Sequence, residues 1–302
     1  MDWNNSTALN ALRSGDLLDL GMSANQIRHN LHPEPVVTYE LCGRAASLEE
    51  ATREAMLHDG KSVNLAQLRD IEHSSLDALK TLLVAQRERL SEVTFQHLPV
   101  PTMKGAGKNA LAMSEALPGL QAAGLRSISL DFDPAVSFLP HGELTHLFRA
   151  AATCGLLVSV SITIGGEESL EQRIGILQML RELQQDSHSI QVVRVRVHHA
   201  STPVARREEE ATAVDYLKTL AVTRIFLDNV EHLQTDWLVM GPKVLELALR
   251  FGADDAGAVP WTQAGSPEPS HHGGESELRR IIRDAGFRPV ERDALFRQSL
   301  LH

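Results

Sequence analysis

Cysteine is almost absent: the 302 residues hold only Cys42 and Cys154. Two thiols so far apart give neither a disulfide framework nor a Cys-x-x-Cys pair, and both read as ordinary free thiols. Aromatic residues are scarce at 4%, and cations are outnumbered, with 29 Lys and Arg against 39 Asp and Glu. A formal net charge of -10 repels phosphate backbones, and no basic stripe is interleaved with aromatics, so nucleic acid is not an expected partner. Long apolar runs are missing too. The most apolar stretch, Leu156–Ile164, falls far short of the roughly 20 residues that a membrane-spanning helix needs. The start, MDWNNSTALN, lacks a basic region followed by an apolar core, so a cytoplasmic location without membrane attachment is expected.

What is present suits a large α/β core: 43% hydrophobic and 23% charged residues. Thr7–Arg13 and Ser23–Leu31 read as helices, the second capped by Ser23. The pattern then alternates. Strands are expected at Val36–Tyr39, Ser62–Leu65, Val93–His97, Leu125–Phe132, Leu156–Ile164 and Ile190–Val197, the fifth apolar enough for burial on both faces. Helices are expected at Ser47–His58, Ser74–Leu90, Lys108–Ala123, His141–Ala152, Leu170–Gln184 and Glu208–Arg224. Within Asp228–Gly257, His232–Met240 is expected as a strand, and Gly241 and Pro242 open a helix that Phe251 and Gly252 end. That leaves Asp254 and Asp255 on a loop.

This alternation predicts an α/β fold, a (β/α) TIM-type barrel, with an open doubly wound sheet as runner-up. The expected organisation is one domain over 1–302: a helical cap at 1–34, the barrel at 35–257, and a loop with a helix-strand extension at 258–302. The Pro/Gly/Ser-rich segment before Glu275 reads as a surface excursion whose His271 and His272 are exposed.

Four blocks carry a resemblance: GDLLDLGMSANQIRHNLHPEPVVTY (Gly15–Tyr39), RIFLDNVEHLQTDWLVMGPK (Arg224–Lys243), LRFGADDAG (Leu249–Gly257) and IRDAGFRPVERDALF (Ile282–Phe296). The chain resembles, nearly end to end, the dehypoxanthine futalosine cyclases, the MqnC-like branch of the radical S-adenosylmethionine enzymes of menaquinone biosynthesis. The middle matches more faintly, through Gly165–Arg173 and Ser201-Thr202-Pro203. The resemblance implies a 4Fe-4S cluster on a Cys-x-x-x-Cys-x-x-Cys loop after the first strand, with S-adenosylmethionine on its open iron. Here Tyr39 leads into Glu40-Leu41-Cys42-Gly43-Arg44-Ala45-Ala46, and the loop is missing. The glycine turns after the second and fourth strands, and the acid after the third, are missing as well: the chain reads Leu65-Ala66-Gln67-Leu68, Asp131-Phe132-Asp133 and Pro99-Val100-Pro101. No cofactor is therefore expected.

The departures share the face where barrels keep their chemistry, which predicts a cluster-less relative. As a non-catalytic partner or regulator it would form a hetero-oligomer with an intact futalosine cyclase or another enzyme of that pathway. Alternatively, a repurposed enzyme would use His97, Asp131, Asp133 and His198 to hold a divalent metal and activate water. Asp131 and Asp133 can equally cap the turn at Pro134, and His198 can be a solvated loop residue. A third reading is a nucleoside-binding module with Glu168, Arg173, Asp254 and Asp255 as ligand contacts, although a helix-surface salt bridge explains Glu168 and Arg173 equally well.

Overall fold

Short β-branched runs alternate with capped helices, and the alternation rolls a parallel sheet into a ring. The computed structural model describes residues 3–42, 47–57, 62–65, 68, 75–89, 94–100, 107–133, 139–166, 168–198, 211–235, 237–260, 274–293 and 295–298. In chain order the elements are α1 (Asn5–Ser14), α2 (Leu17–Leu31), β1 (Val36–Cys42), α3 (Leu48–Leu57), β2 (Ser62–Asn64), α4 (Leu76–Arg89), β3 (Thr94–Gln96), β4 (Leu98–Val100), α5 (Gly107–Ala122), β5 (Ser127–Phe132), α6 (His141–Thr153), β6 (Leu157–Ile164), α7 (Leu170–Ser187), β7 (Ile190–Val197), α8 (Ala213–Phe226), β8 (His232–Gln234), α9 (Trp237–Met240), α10 (Pro242–Ala248), β9 (Asp255–Pro260), α11 (Glu275–Asp284) and β10 (Arg288–Glu291).

Eight strands form one sheet in the order β10-β1-β9-β8-β7-β6-β5-β4, and β2 pairs with β3. The ladders are parallel. From β4 to β9 the order is sequential, and β9 then pairs with β1, as the last and first strands of a barrel do and those of a doubly wound sheet do not. A bridge from Phe95 to Leu125 ties β3 to the approach of β5. Among the described residues no ladder joins β1 to β2. Instead β10, from the C-terminal extension, pairs along β1 from Val36 to Tyr39.

Several expectations are corrected. Helix α2 starts at Leu17, not Ser23, because the Asp16 side chain accepts from the Leu18 and Asp19 amides and caps it there. The third strand breaks in two at His97, whose φ of 54° reverses the backbone between β3 and β4. Strand β6 is not buried on both faces: Val158, Val160, Ile162 and Ile164 pack into the core, while the intervening residues are half-buried. The expected strand over His232–Met240 stops at Gln234, and Trp237–Met240 turns into helix. Asp254 and Asp255 are not on a loop; Asp255 begins β9, which runs on to Pro260. The excursion before Glu275 falls on 261–273, outside the described residues.

The outward faces of β5 and β6 pack under α6 and α7, with Leu130, Phe132, Val158 and Ile162 at most 1% exposed. Each such side chain contributes about 1.5–3 kcal/mol. Gly252 ends the α10 turn with φ 96°, and a Cβ there would lie 2.8 Å from Arg224 Cγ. Gly252→Ala should therefore lose more than the ~1–2 kcal/mol of a left-handed residue, because Arg224 must also shift. Urea denaturation measures this, and an unchanged midpoint would contradict it.

Candidate functional site

Inside the ring, one register layer is polar across consecutive strands: Asp131 pairs with Ser161, Ser161 with Arg194, Arg194 with Gln234, Gln234 with Asp255 and Asp255 with Thr38. Barrel interiors of this class are ordinarily filled by bulky aliphatic layers. Serine and threonine leave room instead. The result is a cavity of about 910 Å³ lined by residues of every strand from β1 to β9 except β3, among them Glu40, Asn64, Ser129, Asp131, Ser159, Ser161, Arg194, Arg196, Gln234 and Gly257, with His97 at the break after β3.

His97 is held from three sides. Its amide donates to Ser127 Oγ at 2.9 Å, its carbonyl accepts from Ser129 Oγ at 3.1 Å, and its Nδ1 shares a 3.0 Å hydrogen bond with Ser159 Oγ. Burial, reinforced by Arg194 and Arg292, pushes its pKa down to about 3, so the imidazole is neutral at ordinary pH.

Asp255 is a buried junction behind the lining residues Gln234, Gly257 and Glu40. Oδ2 accepts from Thr38 Oγ1 at 2.6 Å and from Arg292 Nε at 2.5 Å; Oδ1 accepts from Arg292 Nη2 at 3.0 Å, from the Gly257 amide at 2.8 Å and from Gln234 Nε2. Burial opposes its charge, yet Arg292, Thr38 and Gln234 outweigh burial and hold the carboxyl below the usual range. Arg292 also reaches Glu40 at 3.3 Å. Glu40 moves the other way, its pKa raised chiefly by burial. Gln234 accepts from Arg194 Nε, which ties the lumen arginine to the same chain of contacts.

Asp254 serves the opposite end of the strands. Its Oδ1 accepts from Arg224 and from the Leu233 amide at 2.8 Å, and its Oδ2 lies 2.6 Å from His232 Nδ1. His32, stacked on His232 at 5.0 Å, places Nε2 2.9 Å from the Glu231 carbonyl. His32, His232 and Asp254 are the one group of potential metal ligands within 4.8 Å among the described residues, but the arginine and the carbonyl already take their capacity. Burial again opposes the Asp254 charge, and His232 and Arg224 overcome it, pulling its pKa well below the usual range.

The residues expected from sequence thus divide. Neither aspartate lines the cavity, but Asp255 bonds Gln234, which does, and Asp254 does not. Glu168 and Arg173 form a buried ion pair, not a surface one, their side chains 2% and 8% exposed. Glu168 accepts from the Gly165 and Gly166 amides at 2.8 Å each and so holds the turn after β6, while Arg173 continues to Thr219 at 2.7 Å. His97, Asp131, Asp133 and His198 do not come together as a ligand set among the described residues. Asp131 pairs with Arg196 at 3.1 Å, and His97 is committed to Ser159. Glu40, Arg194, Gln234 and Arg292 were missed. For Arg194 a signal was there: charged residues alternating in IQVVRVRV mark one face of a strand that cannot be aliphatic.

A cluster does not fit these residues. Cys42 ends β1, paired with Pro260 at the carboxyl ends of the strands, whereas Cys154 caps α6 ahead of β6, at the amino ends. With two cysteines at opposite ends, no set of three thiolates forms. At the positions where the resemblance implies close approach by glycine, Leu65 and Phe132 are instead buried core side chains.

Asp255→Ala should cost about 3–5 kcal/mol, since it breaks a buried ion pair and leaves Arg292 with Glu40 alone, at 3.3 Å; chemical denaturation measures it. Because the Asp254 and Asp255 pKa values are depressed, their stabilisation is complete above the unfolded value near ~4 and is lost as pH falls through the folded value. The denaturation midpoint of Asp254→Asn should therefore fall less between roughly pH 5 and pH 3 than that of the parent chain.

Residues 194–300 match the family model described as the CofH/MqnC C-terminal region. The chain is 27% identical to cyclic dehypoxanthine futalosine synthase of Streptomyces coelicolor over 64% of its own length and 51% of the enzyme's. Against the Halalkalibacterium halodurans enzyme of the same name it is 23% identical, covering 94% of this chain and 88% of that one. Aminodeoxyfutalosine synthase of Streptomyces coelicolor is 29% identical over 62% of the chain and 55% of that enzyme. The chain thus spans little more than half of two of these relatives. Its fold is that of methylornithine synthase, with a TM-score of 0.69 at 14% identity, covering 96% of this chain and 94% of that one. The C-terminal third of the chain thus matches the CofH/MqnC family model, and the barrel as a whole has the fold of methylornithine synthase.

Proposed function

We propose that this chain is a cluster-free relative of the futalosine cyclases that binds a small polar, nucleoside-like molecule in its lumen, in service of the menaquinone route its relatives' names suggest, without 4Fe-4S or S-adenosylmethionine chemistry. The observation that carries the reading is the polar layer Asp131–Ser161–Arg194–Gln234 around an open cavity, continued behind it by Asp255 and Thr38, with the cysteines at opposite ends of the strands. A scaffold kept only for its shape gains nothing from a hollow, hydrogen-bonding interior, which is costlier to maintain than an aliphatic one.

A non-catalytic partner of an intact futalosine cyclase is the second reading. Leu18 and Met22, one turn apart on α2, are 71% and 65% exposed, an apolar strip that a partner can cover. Recovery of a pathway enzyme at near-equal amounts with tagged chain supports it, and recovery with Leu18→Glu/Met22→Glu unchanged contradicts it.

Anaerobic reconstitution with iron and sulfide should leave the chain without stoichiometric iron–sulfur absorbance and unable to produce 5′-deoxyadenosine. Either signal overturns the cluster-free assignment. A nucleoside that occupies the lumen at about 100 times its Kd should add about 2.7 kcal/mol of stability, read as a rise in Tm, and Ser161→Trp should abolish the rise by filling the cavity.

A further inference from the structure

One residue of the cavity wall holds a backbone conformation that its type rarely adopts. His97 has a φ of 54°, in the left-handed region that glycine enters without a Cβ penalty and histidine does not. What histidine brings to the position is its ring. Three hydroxyls hold it there: Ser127 and Ser129 on β5 bond its amide and its carbonyl, and Ser159 on β6 bonds Nδ1 at 3.0 Å. Strained residues fixed in this way cluster at ligand clamps. His97 is half-buried and lines the cavity. Its Nε2 has no hydrogen-bond partner among the described residues, and it is not one of the polar atoms cut off from solvent. The free edge of the ring is therefore open to the lumen.

Charge on the wall is close to balanced. Among the described lining residues the acids are Glu40, Asp77 and Asp131, and the bases are Arg194 and Arg196. Arg196 lies 3.1 Å from Asp131, the Arg194 Nε donates to Gln234, and Arg292 behind the wall is taken by Asp255 and Glu40. These residues hold no excess of cations, so an anion entering the lumen would lose water without gaining a counter-charge. His97 adds none, because burial, helped by Arg194 and Arg292, keeps the imidazole neutral. A neutral ring still offers one hydrogen bond at Nε2. The Ser159 hydroxyl can donate to a bare Nδ1 or accept from Nδ1–H, which leaves Nε2 as donor in the first case and acceptor in the second. A hydroxyl or amide group suits both.

We infer that the lumen takes an uncharged hydrogen-bonding molecule and that His97 Nε2 is a binding group for it, meeting a hydroxyl or amide of the ligand. The inference rests on the reading of the lumen as a binding site, and it adds the charge of the occupant and the side chain that the occupant meets. Ser159 is the positioning residue, since it fixes the ring through Nδ1.

Adenosine and adenosine 5′-monophosphate are titrated as uncharged and anionic probes, with Tm reporting occupancy and the histidine side-chain ¹⁵N spectrum reporting the contact. His97→Asn, which tolerates the left-handed backbone, identifies the His97 signals by their disappearance. Adenosine should raise Tm and shift the His97 Nε2 signal, and the monophosphate should bind more weakly by about tenfold or more, as expected for a group that loses water without a charged partner. His97→Asn and Ser159→Ala should each weaken adenosine binding by about tenfold, with the backbone amide spectrum away from the site unchanged as the check on folding. A rise in Tm with Nε2 unmoved, variants that bind adenosine like the parent chain, or a monophosphate that binds as tightly as adenosine each overturn the inference and leave the lumen as a binding site. If neither probe raises Tm, the inference and the binding reading fall together.

Discussion

One carboxylate joins the ends of this molecule. Asp255 accepts from Thr38 on β1, Gln234 on β8, the Gly257 amide on its own strand and Arg292 just beyond β10. Those strands lie side by side in space but at the two ends of the chain, so the barrel closes only where this group is charged and fully coordinated. Buried ion pairs stabilise weakly when compared with a well-packed apolar core, yet they punish any arrangement that leaves a member unpaired. The network therefore fixes register: a one-residue slip of β1, β8 or β9 would turn its contributor away from the lumen and strand the arginine.

The same layer explains how the interior can be hollow. A barrel of aliphatic side chains closes on itself by burial, and filling the centre is then the source of its stability. Here the outward faces of β5, β6 and β7 carry the apolar packing, through residues such as Leu130, Ile162 and Val195, while their inward faces carry Ser, Asp and Arg, with Gln234 beside them on β8. Stability and binding are assigned to opposite faces of the same strands.

The sequence displayed the alternation of strands and helices, the glycine at the end of α10 and the proline that starts it, because those features are local. It displayed Asp254 and Asp255 as noteworthy but misplaced them, since a strand as short as β8 followed at once by the helical turn at Trp237 has no periodicity to read. His97 looked like the end of a strand, and only its positive φ shows it to be a break clamped by Ser127, Ser129 and Ser159. Arg292 was invisible for a different reason: nothing near it in the chain announces a partner 37 residues earlier. Glu168 and Arg173 were seen as a pair but assigned to the surface, because their burial depends on the glycine amides of the preceding turn.

The pairing of β10 along β1 has a consequence for assembly. Were the final segment to leave, the row of backbone groups from Val36 to Tyr39 would be bare on that side, a template for any extended chain in parallel orientation. The same event would remove the guanidinium that neutralises Asp255. Release of the tail would thus couple an open edge to an uncompensated charge, so the last strand holds the first by backbone and by charge together.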